Sequence, residues 1–142
     1  MGMFDKWFGG RHDYPPLPAD NNATARLDEV KAPLEELAGK VNDHLEVVPA
    51  EHEAYVYVGH PPRRFGIAWI HDNKLDGLKE LVDENGLSQA DAQKMIVALG
   101  TAYEHASDTP RYSTELAGKK IVVIPSRKLG QEVHEILEDA IH

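Results

Sequence analysis

The chain has 142 residues, 42% of them hydrophobic and 27% charged. That is enough apolar side chain for one domain with a core, and too much for a chain disordered throughout. Its 24 acidic against 15 basic residues give a net charge of −9, which argues against phosphate-driven nucleic-acid binding and against charge-driven adhesion to anionic membrane. The absence of cysteine excludes disulfides, thiol nucleophiles, zinc–thiolate sites and iron–sulfur ligation together.

The first residues, MGMFDKWF, place Met3, Phe4, Trp7 and Phe8 on one short helical face. Phe4, Trp7 and Phe8 are candidate docking residues for a protein partner or a membrane surface; the alternative is that they fold back on their own domain or are frayed. No charged region followed by an apolar stretch marks a secretory signal. No apolar run approaches the roughly 20 residues of a membrane span. An N-myristoyl signal needs Ser or Thr where Lys6 stands. The expectation is a soluble cytoplasmic protein. Residues 11–22 hold Pro15, Pro16 and Pro18 without periodicity and read as an extended linker. The predicted division is therefore a segment and linker over 1–22 and a single α+β domain over 23–142.

Leu27, Val30, Leu34, Leu37 and Val41 recur at helical spacing and predict a helix over 23–43. Pro33 interrupts it; proline costs about 3 kcal/mol in a helix interior but is tolerated in a first turn. The segment is therefore kinked, or its stable helix starts near Ala32.

Residues 45–70 change to strand composition in LEVV, AYVYVG and RFGIAWI. Tyr55 and Tyr57 alternate with Ala54, Val56 and Val58, so the tyrosines share one face. GHPPRR is turn-rich and predicts an antiparallel hairpin between the last two runs.

Helices are predicted over 74–84 and 89–106. Asn73 and Asp76 read as the cap of the first, and Gly86 as its left-handed stop. Ser88 with Asp91 opens the second. KKIVVI, 119–124, is a buried strand, and Ser126 caps a last helix running to about Ile141. The order predicts an α+β fold with a mainly antiparallel sheet of about four strands, covered on one face by about four helices.

Several stretches carry candidate chemistry. IHDNKLDG resembles a calcium loop in Asp72, Asp76 and Gly77, but Lys74 stands where an oxygen ligand is needed and Asp83 where a Glu is. His71 and Asp72 remain as candidate ligands, with His60 if the hairpin register brings the two strand ends together. The eight histidines form no HxxxH or HExxH pair. His134 does share a helix face with Glu138. Arg63 and Arg64 at the hairpin turn, and Ser126, Arg127 and Lys128 at a strand-to-helix junction, suggest a small-anion site, because helix N-terminal amides and basic side chains both hold oxyanions. Arg111, Lys119 and Lys120 add to the basic residues of the last third.

No GxxxxGK[ST], GxGxxG or GxSxG motif is present, and no cofactor is expected. Glu51, Glu53, Glu132 and Glu135 serve acid–base chemistry only if buried and paired. Tyr55, Tyr57 and Trp69 line a pocket or form cross-strand pairs. The leading expectation is a non-catalytic binding or regulatory module for a protein partner, a second copy or a small ligand. The alternatives are a small enzyme or sensor acting on a phosphate- or carboxylate-bearing ligand, and a histidine metal-binding protein.

Overall fold

A computed structural model describes residues 14–141. In chain order the elements are α1 (Asn22–Glu29), α2 (Lys31–Lys40), β1 (Leu45–Ala50), β2 (Glu53–His60), β3 (Arg64–His71), β4 (Lys74–Gly77), α3 (Leu78–Asn85), α4 (Gln89–His105), β5 (Tyr112–Leu116), β6 (Lys119–Val123) and α5 (Arg127–Ile141). The fold is α+β. The strands form one sheet in the order β4-β3-β2-β1-β6-β5, antiparallel throughout except for the parallel pair β1–β6.

Strand alternation sorts the core into two layers. Val48, Tyr55, Tyr57, Ile67, Trp69 and Val122 pack against α3, α4 and α5. Val47, Ala54, Val56, Ala68, Ile70 and Val123 pack against α1 and α2. The sheet is therefore covered on both faces, which corrects the one-face expectation. The reason lies in the side chains opposite the tyrosines: alanine and branched aliphatics must also leave water. Helix α2 touches both edge strands, β4 and β5, so the sheet curls about it.

The predicted helix over 23–43 divides at Val30. Pro33 then falls in the first turn of α2, where no amide hydrogen is required. The stops and starts at Gly86 (φ 62°), at Ser88, whose Oγ accepts from the Asp91 amide at 3.0 Å, and at Ser126, whose Oγ accepts from the Leu129 amide at 3.0 Å, agree with their sequence signals.

Two strands had no sequence prediction. Asp72 and Asn73 both adopt positive φ (53° and 59°) and form a two-residue turn, so Lys74–Gly77 returns along β3 as β4. Asn73 is thus a turn residue and no helix cap, and Asp76 is a strand residue. The helix begins four residues later, where the Gly77 amide donates to Glu80 Oε1 at 2.8 Å. Strand β5, YSTEL, is a half-exposed edge with little apolar signal.

Of the proline-rich stretch, residues 15–17 run along the domain's edge strand and are held to it. Pro16 bridges Ser113 in parallel, the Ser113 amide donates to Pro15 O, and the Leu17 amide donates to Ser113 O, both at 2.9 Å. This segment covers the β5 edge that would otherwise offer free amides. The docking candidates Phe4, Trp7 and Phe8 lie outside the described residues. No described helix is long and apolar enough to cross a membrane.

Candidate functional site

Because β6 runs parallel to β1, the helix that follows β6 starts at the same end of the sheet as the β1–β2 turn. That places the N-terminus of α5 beside Glu51 and Glu53. Arg127, Gly130, Gln131, His134 and Glu135 follow one another at i, i+3, i+4, i+7 and i+8, a single stripe along α5 next to its buried Leu129–Val133–Leu137 stripe. Between this polar stripe, the β1–β2 turn and Arg26 of α1 lies an open cleft of about 450 Å³. A second cleft of about 610 Å³ adjoins it, sharing Arg26, Pro49 and Arg127 and continuing past Ser126 and Tyr112 to the start of α1.

A hydrogen-bonded chain forms one wall. Glu53 Oε1 accepts from Tyr55 Oη at 2.7 Å and from Trp69 Nε1 at 2.9 Å. Tyr55 Oη also lies 2.7 Å from His134 Nδ1. A phenol has one proton, and Tyr55 gives it to the carboxylate; His134 therefore donates from Nδ1. In a neutral ring that leaves Nε2 as an acceptor, with no partner among the described residues. Burial, then the hydrogen bond to Glu53 and the negative charges of Glu53 and Glu138, hold the Tyr55 phenol well above its ordinary value. It stays a neutral donor. The Trp69 and His134 rings meet edge to face, with centroids 5.9 Å apart and planes at 89°, which fixes the imidazole from a second side.

Several charges in the clefts have no ion partner among the described residues. Arg26 and Arg127 have no carboxylate partner among the described residues, and neither Glu51 nor Glu135 has a cationic one. Arg111 is the contrast. It is partly buried, donates to the carbonyls of Ala106 and Thr109, lies 3.8 Å from Glu46 and sits over the Tyr103 ring. Buried Glu46 also accepts from Tyr103 Oη at 2.8 Å and lies 3.1 Å from His44 Nε2. That cluster is held together by its own ion pairs and hydrogen bonds, and none of Glu46, Tyr103 and Arg111 lines either cleft.

The sequence candidates separate. Ser126 and Arg127 line the clefts, while Lys128 is exposed beside them. Arg63 and Arg64 lie at the other end of the sheet. Arg64 pairs with His60, whereas Glu53 pairs with His71, and the seven intervening steps span roughly 24 Å at 3.4 Å per residue. One locus cannot hold all five of the proposed anion-binding residues.

The same register corrects the idea that His60 and His71 converge. They occupy opposite strand ends. His60 stacks on His44 at 6.2 Å. His71 Nε2 lies 2.9 Å from Asp76 Oδ2, its Nδ1 3.6 Å from Asp72 Oδ2, and its ring stacks on Trp69 at 4.2 Å. Among the described residues no three His, Cys, Asp or Glu side chains converge to hold a metal ion.

Tyr57 belongs to the core, its hydroxyl donating to Leu99 O at 2.8 Å. Sequence reasoning missed Arg26, the one basic residue of α1. It also missed the Glu53–Tyr55–His134 chain, whose members are up to 81 positions apart. The five-residue stripe on α5 was the one available signal. No protein-family model, curated protein or solved structure matches this chain.

Proposed function

We propose that this domain is a non-catalytic binding module, of regulatory or accessory type, for a small ligand bearing a phosphate or carboxylate group. The observation that carries this reading is the pair Arg26 and Arg127, set without carboxylate partners among the described residues where two clefts meet and beside the Ser126-capped start of α5. Arginine presents a planar fork of donors matched to an oxyanion, and the first amides of a helix add partial positive charge.

A ligand that binds only the folded state raises its melting temperature. Millimolar phosphate or short carboxylic acids should therefore shift the melting curve of the wild type and of Arg64→Ala. Arg26→Ala and Arg127→Ala should lose the shift. A shift abolished by Arg64→Ala and kept by Arg127→Ala would move the site to the hairpin turn and refute this reading.

A second reading, a small enzyme or sensor for the same ligand class, is favoured by one observation. His134 is oriented through Tyr55 by Glu53, and its Nε2 has no partner among the described residues. An oriented imidazole beside an oxyanion pocket suits general acid–base catalysis. Turnover of p-nitrophenyl phosphate or acetate that is lost in His134→Asn, with anion binding kept, would favour it over simple binding.

A further inference from the structure

The two clefts differ in sign, and that difference specifies more about the ligand than an oxyanion alone. Both contain Arg26 and Arg127. The cleft toward the start of α1 adds Asp20; the cleft along α5 adds Glu51, Glu53 and Glu135. With histidine counted as neutral, the first has a positive balance and the second a negative one. A purely anionic ligand would gain from the arginines and be repelled by the carboxylates beside them.

The carboxylates are not equivalent. Glu53 is engaged by Tyr55 and Trp69 and lies 3.7 Å from His134 Nδ1. Glu51 and Glu135 are exposed and have no cationic partner among the described residues. Nor do they neutralise the arginines. Arg127 and Glu135 stand eight positions apart on α5, about 12 Å along its axis at 1.5 Å per residue. The position one turn after Arg127, where a carboxylate would pair with it, is the neutral Gln131. The stripe thus keeps a cation and an anion in one cleft without joining them.

We infer that the cleft takes a small zwitterion, an oxyanion and an ammonium group on one short chain, with the oxyanion on Arg26 and Arg127 and the ammonium toward Glu51 and Glu135. This rests on the oxyanion reading of the same site and adds the second charge. His134 lines the same cleft, and its Nε2 as an acceptor suits the N–H of such a ligand.

The test uses the full chain in isothermal titration with matched pairs. These are ω-amino carboxylic acids from glycine to 6-aminohexanoic acid, each against the parent acid without the amine, and phosphoethanolamine against ethyl phosphate. At least one amine should bind tenfold or more tightly than its parent. The Glu51→Gln/Glu135→Gln double variant should bring that ratio to about one while the parent still binds. Both residues are exposed, and an unchanged melting temperature verifies the fold. The carboxylate and phosphate arms tell which headgroup is preferred. Equal affinity within every pair overturns the zwitterion and leaves the oxyanion reading standing. If no member of any pair binds, both fall.

Discussion

Tyr55 has one hydroxyl proton and two polar neighbours, and its allocation sets the state of His134. Replacing the residue by Phe removes a donor from Glu53 and the acceptor of His134 Nδ1–H. Tyr55→Phe should destabilise the fold by about 0.5–1.5 kcal/mol in urea unfolding, the net worth of a hydrogen bond, since the Glu53 and His134 side chains left behind are only half-buried. In ¹⁵N spectra it should also release His134 from its Nδ1–H tautomer. An unchanged tautomer would contradict the proton assignment.

The phenols of Tyr14, Tyr55, Tyr57 and Tyr103 are all held above the ordinary value of 10.0, chiefly by burial, and that of Tyr103 is pushed up to about 12. Above pH 10.0 the unfolded chain releases these protons while the folded chain keeps them, so stability falls with rising pH. The contribution of Tyr103 is complete below 10.0 and lost through about 12. Phenolate absorbance should therefore rise together with loss of the native circular dichroism; full ionisation near pH 10.0 in a still-folded protein would contradict this. Sequence alternation put Tyr55 and Tyr57 on one sheet face. It could not supply their polar partners, because Tyr55 and His134 are 79 positions apart.

Element boundaries were legible where a local side chain makes them and obscure where tertiary pairing does. Ser88, Gly86 and Ser126 act within four residues of themselves, and each does what its type dictates. Strand β4 was read as helix because Leu75, Leu78, Leu81 and Val82 satisfy a helical period, while the Asp72–Asn73 turn that reverses the chain depends on two positive φ angles. Close packing between elements was equally invisible. A Cβ on Gly100 of α4 would lie 2.9 Å from Pro62 O at the β2–β3 turn, so helix and turn meet backbone to backbone there. Gly100→Ala must push the turn away, and should lower stability by about 1–3 kcal/mol despite the better helix propensity of alanine. Its ligand binding should be unaltered, since this contact and the Arg26–Arg127 clefts lie at opposite ends of the sheet. A more stable Gly100→Ala variant would show that the contact relaxes freely.

At the scale of the molecule, strand order makes the candidate site. The parallel step from β1 to β6 brings the start of α5 to the β1–β2 turn, and the antiparallel β2–β3 hairpin carries Arg63 and Arg64 to the far end. The order of the predicted elements indicated the α+β class, and composition the acidic balance of the chain. Neither could distinguish two basic clusters in one cleft from two clusters at opposite ends, because the sequence leaves the order of non-adjacent strands open. The most direct test is a ¹H–¹⁵N titration of the intact protein with inorganic phosphate. The account predicts saturable shifts gathered at residues 20–26, 50–53 and 126–135, and their loss in Arg127→Ala. Shifts centred on residues 60–65, or none that saturate, would contradict it.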